Sequence, residues 1–505
     1  MGIAALLKKK AGALPDKVAI EFEDKKVTYK EIDLIGNKVA NAFKSLGIIK
    51  GDRVAQFIPN CLELVYSMVG NFKNGSIVIP MNINFKEDEI HHILSDSGVK
   101  AVIVDKARLP IVNKIKDKLP DLKNIILIDG NEKETINFHE LMKKASGKDP
   151  NVMIKDDDYS ITFYTSGTTG KPKGAALSQL NVTSGVKALV QAWKLTKDDV
   201  FLLTLPLYHI HGIGVALLTS LYVGNFIILK KKFNAEEALE TITKRKITLF
   251  MGVPTMYFKL LEVEGFEKYD LSSMRLFVSG SAPLSKDLFN KLRKELKSEI
   301  LERAGMSESM MNFSNPYHGD RVPGSVGPCL PGVKVKITDK EWNEVPVNKE
   351  GEILIKGPNV FHGYWNKPDY NKQVFKDGWF VTGDVGKVDE RGYVYLIGRS
   401  KDVIISGGIN IYPREIEEVI ESMPHVKECA VVGVPDKEFG ESVKAYVVLN
   451  SGKKIKDDGV IAFCKEKLAS FKKPKYVDFL DKLPKNTMGK IQKNMLREMH
   501  KNNKK

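Results

Sequence analysis

Cysteine is scarce in this sequence, and no two cysteines have the spacing of a metal or redox site. Four occur in 505 residues, at positions 61, 329, 429 and 464, and none belongs to a CxxC pair. Disulfide scaffolds and structural zinc sites both need clustered cysteines, so the spacing argues against either kind of protein. The composition is typical of a reducing compartment, and we expect the protein in the cytoplasm.

Long uninterrupted apolar segments are also scarce. Residues 1–10 hold an apolar stretch too short for a signal-peptide core, with no small-residue cleavage site. Residues 201–229 contain no Asp, Glu, Lys or Arg and are long enough to cross a bilayer. A proline, two histidines and three glycines interrupt this segment. We therefore predict no membrane span, but a strand ending near Leu205, a helix through Leu218 and a strand over 225–229.

Acidic residues are outnumbered by basic ones. The 63 Asp and Glu stand against 78 Lys and Arg, a formal charge of +15 at pH 7. Such an excess indicates an anionic partner. Neither an aromatic-rich RNA-binding motif nor a zinc finger accompanies it, so we expect phosphorylated small molecules and no nucleic acid. A monomer and a homodimer both remain open.

The length and the hydrophobic pattern are those of a multidomain globular enzyme. A chain of 505 residues exceeds what one hydrophobic core usually organises. Apolar runs alternate with amphipathic segments over most of the N-terminal part, which predicts βαβ units and mainly parallel sheets. The predicted strands include 54–58, 77–79, 101–104, 124–127, 227–229 and 276–279, and the predicted helices include 29–46 and 235–245.

Two changes of pattern divide the chain. From 351 to 397, short strands punctuated by Gly, Asn and Asp predict a small antiparallel β subdomain. After the GRSKD stretch at 398–402, a compact α+β pattern continues to the end. We therefore predict an α/β protein with a large N-terminal domain over 1–397, a hinge over 398–402 and a small α+β domain over 403–505.

A loop rich in hydrogen-bond donors follows the predicted strand at 160–164. It reads TSGTTGKPKG over residues 165–174, with three glycines, four hydroxyls and two lysines. Glycines let backbone N–H groups turn toward one point, and lysines add positive charge, so such a loop can cradle a polyphosphate. An ordinary Gly/Ser/Thr turn is the plainer alternative, but it seldom combines so many donors with two lysines.

The spacing of this loop excludes the common nucleotide-binding motifs. In a Walker A motif, four residues separate the first glycine from Gly-Lys, and Ser or Thr follows the lysine. Here two residues separate Gly167 from Gly170, and Lys171 is followed by Pro172. The Gly212-Ile213-Gly214 stretch lacks the third glycine of a dinucleotide-binding fingerprint.

Six motifs in a fixed order carry a family resemblance. They are the 165–174 loop, SGSAPL at 279–284, GMSE at 305–308, TGD at 382–384, Arg399, and Lys490 in PKNTMGK. In this order they resemble the adenylate-forming enzymes: acyl-CoA synthetases, peptide-synthetase adenylation domains and firefly-type luciferases. The resemblance covers nearly the whole chain. It implies an ATP-dependent ligase that joins a carboxylic acid to coenzyme A through an acyl-adenylate, with a mobile C-terminal domain.

The resemblance also assigns roles to individual residues. Glu308 and Thr169 would hold Mg²⁺, Lys490 would be the catalytic lysine, and Lys171 would neutralise phosphate charge. Lys401 matches the hinge, and Gly407 and Gly408 match a loop that lets the coenzyme A arm approach. The expected nucleotide contacts are Thr165, Ser166, Gly167, Thr168, Thr169, Gly170, Lys171, Gly280, Ser281, Ala282, Pro283, Ala304, Gly305, Met306, Ser307, Asp384 and Arg399.

The chemistry requires such residues, because a carboxylate must attack the α-phosphorus of ATP and both reactants are anions. Neutralising charge and holding the two groups in line are therefore the main tasks, which lysines, an amide-rich loop and a metal ion perform. The second step is thiol attack on the mixed anhydride. AMP is a good leaving group and a thiol is already slightly ionised near neutral pH, so no acid catalyst is needed.

The acid is predicted to be a dicarboxylate. In the family the segments around His209 and just before Gly305 line the acid pocket, and this chain has Arg303 there. A buried arginine needs an anionic partner, and a second substrate carboxylate would satisfy it. Alternatively, Arg303 pairs with Glu302, Glu308 or another core acid. His209 is a candidate substrate contact or a packing residue, and His211 is expected to be structural.

Longer stretches resemble one subfamily, and one position departs from the family pattern. Arg303, residues 312–332, the HxHG at 209–212 and the PKNTMGKIQKNMLRE ending look like malonyl-CoA synthetases, so malonate, or else methylmalonate, is expected. The family usually has an aromatic residue at position 304 that stacks on adenine, and this chain has Ala304. The missing aromatic ring would weaken ATP binding by about 1–3 kcal/mol unless another residue fills the space. A monocarboxylate ligase, a luciferase-like oxidase and a silent nucleotide-binding relative are the alternatives.

Overall fold

Short β-branched runs form the strands of this protein, and the amphipathic segments between them form the helices. The computed structural model describes residues 2–165, 171–406, 409–436, 439–486 and 489–502. Predicted strands 101–104, 124–127 and 276–279 have the predicted bounds, and the helix predicted over 29–46 is observed at Tyr29–Ser45. Thr28 begins that helix with a capping box: the Thr28 hydroxyl accepts the Glu31 N–H, and the Thr28 N–H donates to the Glu31 carboxylate.

The strands of the described residues are β1 (Val18–Phe22), β2 (Lys25–Thr28), β3 (Arg53–Phe57), β4 (Ile77–Pro80), β5 (Ala101–Val104), β6 (Asn124–Leu127), β7 (Ile136–Asn137), β8 (Tyr159–Thr165), β9 (Lys173–Ser178), β10 (Val200–Leu203), β11 (Phe226–Leu229), β12 (Leu249–Gly252), β13 (Leu276–Ser279), β14 (Leu301–Ala304), β15 (Phe313–Ser314), β16 (Lys334–Thr338), β17 (Gly351–Lys356), β18 (Phe375–Lys376), β19 (Trp379–Val388), β20 (Val394–Arg399), β21 (Ile404–Ser406), β22 (Ile409–Ile411), β23 (Val426–Asp436), β24 (Gly440–Leu449) and β25 (Tyr476–Phe479).

The α-helices are α1 (Ile3–Ala13), α2 (Tyr29–Ser45), α3 (Leu62–Asn74), α4 (Glu87–Ser97), α5 (Leu109–Ile115), α6 (Phe138–Lys144), α7 (Gln179–Trp193), α8 (Thr219–Val223), α9 (Ala235–Arg245), α10 (Pro254–Leu261), α11 (Lys286–Leu296), α12 (Pro368–Val374), α13 (Pro413–Glu421), α14 (Asp457–Lys467) and α15 (Lys493–Asn502). A π-helix over His211–Leu218 leads directly into α8. Single-turn 3₁₀ segments include Ser400–Asp402, at the predicted hinge.

Two mainly parallel sheets form the N-terminal part, as the alternation of apolar and amphipathic segments predicts. One has the strand order β7-β6-β5-β3-β4-β8-β9, and the other has β15-β14-β13-β12-β10-β11-β1-β2. Only the pairs β8–β9, β14–β15 and β1–β2 are antiparallel among the described strands of these sheets. Such βαβ sheets are covered by helices on their faces, so their strands are almost wholly apolar and buried.

The uncharged segment 201–229 lies inside the second sheet. Its two strands, β10 and β11, are central parallel neighbours, and the π-helix and α8 connect them. The prediction of a buried strand–helix–strand unit is therefore confirmed, although the helical part extends to Val223 rather than ending at Leu218. Across the described part of the chain, no helix combines the length and the apolarity that a bilayer crossing requires.

An antiparallel sheet follows, and it begins earlier than predicted. β16, β17, β19 and β18 are neighbours in that order, and β20 pairs with β19. The pattern from residue 351 onward predicted this sheet, but its edge strand lies upstream at Lys334–Thr338. That strand alternates charged and apolar residues and pairs with β17 over its full length. An edge strand of this kind has no strong sequence signal, because only one of its faces is buried.

The C-terminal part has its own sheet and core. β22, β21, β24 and β23 form an antiparallel order, with β25 parallel to β24, and helices α13, α14 and α15 cover it. The contacts that tie it to the rest of the chain include an ion pair of Arg497 in α15 with Asp402 at 2.8 Å and the approach of Gly489 to Thr255 of α10. These contacts bring the loop that carries Lys490 onto the N-terminal part.

Candidate active site

Asp384 and Arg399 form the ion pair at the centre of the site. They are direct cross-strand partners on β19 and β20, and Arg399 Nε lies 2.7 Å from Asp384 Oδ1. Arg399 also donates Nη1–H to the Thr382 carbonyl at 3.2 Å. The carboxylate of Asp384, followed by Glu308, raises the pKa of Arg399. The two residues predicted to contact the ribose are therefore adjacent, and each restrains the other.

Glu308 is a buried carboxylate beside this pair. Its Oε1 accepts the Tyr364 hydroxyl at 2.8 Å, and its backbone carbonyl accepts the Phe361 N–H at 2.8 Å. Burial and the Glu308 charge both raise the pKa of Tyr364, so Tyr364 remains a hydrogen-bond donor. The sequence analysis did not identify Tyr364 because it lies 56 residues from its partner. One carboxylate facing an expected polyphosphate is the kind of ligand that Mg²⁺ takes, so Glu308 fits that ion.

Lys490 approaches the same pair from the C-terminal part. Its backbone N–H donates to Asn486 Oδ1 at 2.9 Å, which fixes the turn after Gly489. The residue is exposed, and desolvation by the surrounding protein lowers the pKa of its side chain. Repulsion from Arg399 lowers it further, and attraction to Asp384 opposes the change. The predicted catalytic lysine is thus brought together with the two predicted ribose contacts.

The predicted phosphate loop is described at its two ends. Thr165 closes β8 opposite Lys173 of β9, so the loop joins two antiparallel strands, and Lys171 is exposed. Ser166, Gly167, Thr168, Thr169 and Gly170 lie outside the described residues, as do Gly407 and Gly408. Lys401 lies in the exposed 3₁₀ turn at Ser400–Asp402. The assigned roles of all these residues remain predictions.

Residues 304–306, at the start of the GMSE motif, border a small cavity. Its walls include Ala304, Gly305, Met306, Thr382 and Asp384. The absent aromatic side chain at position 304 therefore coincides with open space beside the ribose contacts. A Cβ atom on Gly305 would lie 2.1 Å from the Met310 carbonyl oxygen, so only glycine fits at that position.

The SGSAPL segment, 279–284, makes a tight turn beside Arg303. Ser281 has φ of 69°, in the left-handed region that is unfavourable for residues other than glycine. A Cβ atom on Gly280 would lie 2.6 Å from Arg303 Nη1, so the guanidinium packs against bare backbone there. Gly280 and Ser281 thus shape the surroundings of Arg303. Ala282 and Pro283 continue the same segment toward α11.

Arg303 is a buried cation without a carboxylate partner. Only 3% of the residue is exposed, and its Nε and Nη2 atoms are buried with no hydrogen-bond acceptor. Burial lowers the pKa of Arg303 to about 9. No ion pair to Arg303 occurs among the described residues, and neither of the two suspected acids bonds to it, although Glu302 Oε2 is itself buried without a partner. Glu308 accepts from Tyr364, and the buried Glu302 accepts the Leu284 N–H at 3.2 Å.

Two buried, neutral histidines interact with each other, and one of them, His211, also interacts with Arg303. His211 begins the π-helix and its Nδ1 lies 3.2 Å from Ser281 Oγ. The Nε2 atoms of both His209 and His211 are buried without a partner. Burial lowers the pKa of His209 to about 4, and burial, with the neighbouring Arg303, lowers the pKa of His211 well below its ordinary value. His211, which was expected to be structural, lies in the electrostatic field of Arg303.

Comparisons with known proteins show which family the chain belongs to. The AMP-binding enzyme family matches residues 7–365, and the AMP-binding enzyme C-terminal domain matches residues 415–490. A long-chain-fatty-acid–CoA ligase from Bacillus subtilis (strain 168) is 36% identical, covering 98% of this chain and 94% of the relative. A malonate–CoA ligase from Arabidopsis thaliana is 31% identical, covering 96% of this chain and 86% of the relative. ATP-bound MatB from Rhodopseudomonas palustris superposes with a TM-score of 0.93 at 40% identity, covering both chains fully. Apo MatB from the same organism, at the same identity and coverage, gives 0.81.

Proposed function

Because the chain belongs to the AMP-binding enzyme family, we propose that it activates a short dicarboxylic acid, malonate first and methylmalonate second, for transfer to coenzyme A. The coarser activity is that of an AMP-forming acid–thiol CoA ligase, with ATP and coenzyme A as substrates. The acid is the specific part of the proposal, since relatives named for long-chain fatty acids and for malonate both match the chain.

The unpaired buried Arg303 carries this proposal. An isolated charge in a protein interior is costly, and structures retain one only where a partner compensates it. Arg303 has two buried donors without an acceptor. The side chain of Glu302, its neighbour on the strand, points to the other face of the sheet, and Glu308 accepts from Tyr364. A second substrate carboxylate would supply two parallel acceptors for a guanidinium fork. The name of the Arabidopsis relative supports malonate in particular.

The neutral histidines favour the same ligand. A cationic His209 or His211 would add to the positive charge of Arg303 and repel it, but burial holds the pKa of both imidazoles below the neutral range. A neutral imidazole still donates one N–H, and the two buried Nε2 atoms lack partners. The pocket therefore offers one charge and neutral polar groups, which suits a single carboxylate rather than a phosphate.

In the first half-reaction, the other carboxylate of the acid attacks the α-phosphorus of ATP and pyrophosphate leaves. Asp384 and Arg399 would orient the ribose, and the 165–174 loop with Lys171 would hold the β- and γ-phosphates. Lys490 would bridge the attacking carboxylate and the α-phosphate, stabilising charge that grows in the transition state. Glu308 and Thr169 would hold Mg²⁺, which neutralises phosphate charge when it is bound.

In the second half-reaction, the thiol of coenzyme A attacks the adenylate carbonyl and AMP leaves. We propose that the domain over 403–505 then turns about the 398–402 hinge at Lys401, so that Gly407 and Gly408 face the adenylate. The TM-score of this chain is 0.93 against ATP-bound MatB and 0.81 against apo MatB. The position of Lys490 beside Asp384 and Arg399 suits the adenylation step.

The proposal is tested by AMP release with ATP, Mg²⁺ and coenzyme A across malonate, methylmalonate, succinate, oxalate, acetate and octanoate. We expect malonate to be used far better than acetate or octanoate. A preference for acetate or octanoate would reject the dicarboxylate pocket and leave the ligase mechanism intact. If none of these acids supports AMP formation, despite measurable ATP binding, the silent nucleotide-binding alternative or an acid outside this panel is favoured.

A Lys490→Ala variant tests the assignment of the catalytic lysine. We expect it to abolish malonate-dependent exchange of labelled pyrophosphate into ATP, while ATP binding remains close to that of the wild type. Lys485, which lies five residues away and pairs with Glu428 in the C-terminal part, provides a matched control. A Lys485→Ala variant should retain exchange, and unchanged exchange in Lys490→Ala would reject the mechanism.

A further inference from the structure

Helix α4 contacts the hairpin that carries the phosphate loop. His92 and Asp96 are four residues apart on α4, so their side chains lie on one face of the helix. That face meets the last residues of β8 and the residue before β9, which are the two ends of the 165–174 loop. Neither residue belongs to a motif identified from the sequence.

His92 contacts the loop itself at its exit. Its Nε2 lies 2.8 Å from the carbonyl oxygen of Pro172. A carbonyl only accepts, so Nε2 must carry the proton and donate. Pro172 stands between Lys171 and Lys173, and proline has no N–H with which to bond a neighbouring strand. The His92 contact therefore restrains a residue that the β8–β9 ladder cannot hold.

Asp96 contacts the strand at the loop entrance. Its Oδ2 accepts the Tyr164 hydroxyl at 2.9 Å, and its Oδ1 accepts Lys367 Nζ at 2.7 Å. Tyr164 is the residue before Thr165, where the loop begins. The carboxylate side chain is only 11% exposed, so solvent competes weakly for both bonds. One turn of α4 thus holds the loop entrance through Asp96 and the loop exit through His92.

We propose that His92 and Asp96 are positioning residues for the phosphate loop, acting on ATP through Pro172 and Tyr164 rather than by contact. The inference rests on the proposed role of the 165–174 loop in holding the β- and γ-phosphates. Backbone donors bind an anion well only if they are oriented before it arrives. A loop with three glycines loses much conformational freedom on binding, and outside contacts at both ends reduce that loss.

The proposal predicts an effect confined to ligands that contain the terminal phosphates. ATP and pyrophosphate need the loop, whereas AMP lacks the β- and γ-phosphates and contacts only the adenosine and α-phosphate sites. Loss of the His92 donor should therefore weaken ATP binding by about 3- to 10-fold, the effect of one hydrogen bond, and leave AMP binding unchanged. A general packing defect would weaken both nucleotides alike.

The experiment measures the Kd of ATP and of AMP by calorimetry on the full-length protein, with KM for pyrophosphate from the exchange assay. Three variants are compared with the wild type. His92→Leu removes the donor, His92→Gln keeps an N–H of similar reach, and His91→Leu changes the neighbouring half-buried histidine. We expect only His92→Leu to lose ATP and pyrophosphate affinity, with His92→Gln restoring most of it.

Equal losses for ATP and AMP in His92→Leu, or no loss for either, would overturn the proposal. If His92→Leu does not fold, Asp96→Asn supplies the second test, because its amide keeps one acceptor for Tyr164 but loses the charge that binds Lys367. It should also weaken ATP relative to AMP. The ATP-to-AMP ratio does not depend on the acid, so failure here leaves the malonate proposal standing, and failure of malonate leaves this inference standing.

Discussion

Replacing Arg303 with methionine should make the protein more stable and remove its use of malonate. Methionine has a similar length and no charge, so it fills the site without a buried cation. In the ligand-free protein two guanidinium nitrogens have no acceptor, and burial lowers the pKa of Arg303 to about 9. Replacing a poorly compensated buried charge with an apolar side chain stabilises proteins by about 1–4 kcal/mol. We therefore expect a higher thermal midpoint for Arg303→Met.

The loss of activity follows from the bonds that the proposed substrate would make. A carboxylate held by a guanidinium fork gains two charge-assisted hydrogen bonds, each of about 1.5–3 kcal/mol. Losing both costs about 3 kcal/mol or more, which corresponds to a decrease in kcat/KM for malonate of about 100-fold or more. Propionate has a methyl group where malonate has its second carboxylate. Its kcat/KM should stay level or rise in the variant, because a methyl group packs against methionine.

The assay is a pair of measurements on the same preparations. Initial rates of AMP release give kcat/KM for malonate and propionate, and thermal melting is recorded with and without malonate. Malonate should raise the melting midpoint of the wild type, because a ligand that binds only the folded state stabilises it. It should not raise that of Arg303→Met.

Arg321 provides a matched control for this experiment. It is also an arginine with little exposure, but its guanidinium donates to the backbone carbonyls of Glu299, Pro316 and Tyr317. Arg321→Met should lower the melting midpoint, because it leaves carbonyls unpaired, and should keep the malonate-to-propionate ratio. The reasoning is refuted if Arg303→Met retains malonate use, loses malonate and propionate equally, or melts at a lower temperature than the wild type.

Three further predictions concern other residues of the site. Ala304→Tyr should tighten ATP binding by about 1–3 kcal/mol, measured as Kd, because it restores the aromatic side chain that the family resemblance stacks on adenine; weaker binding would contradict this. Burial raises the pKa of Glu302 to about 8, so the folded state holds a proton that the unfolded state loses above about pH 4.5. The stability that this group contributes is then lost as pH rises from 4.5 to 8. The melting midpoint of Glu302→Gln, relative to that of the wild type, should therefore increase over that range; a constant difference between the two midpoints would disprove it. Because the pKa of Lys490 is lowered, kcat/KM for adenylation should fall as the pH rises, with a midpoint below the ordinary pKa of lysine. Lys490→Arg should move this fall to higher pH; an identical profile would count against Lys490.

Much of the fold could be read from local patterns. The strand at Ala101–Val104 is a short β-branched run, and Ala235–Arg245 has apolar residues at helical spacing, so each has the predicted bounds. The edge strand Lys334–Thr338 was not predicted, because an edge strand pairs on one side only and its sequence is half polar. The π-helix was not predicted either. Its sequence is apolar throughout, and only the close approach of Gly212 to the Pro206 carbonyl distinguishes it.

The sequence alone determined the kind of chemistry, because the phosphate loop, the GMSE and TGD motifs and Lys490 are each local groups whose residue types carry their roles. It could not decide which of these groups meet. Lys490 lies beside Asp384 and Arg399 because the C-terminal part packs against α10, and Tyr364 reaches Glu308 across 56 residues.

The tertiary structure alone decided the state of Arg303. From the sequence, Glu302 and Glu308 were both candidate partners. However, Arg303 and Glu302 are neighbours on a strand, so their side chains point to opposite faces of the sheet. Glu308 is drawn toward Tyr364 instead. The strand pleat and a distant tyrosine thus leave the cation without a carboxylate partner among the described residues, and neither effect can be read from the residues around it.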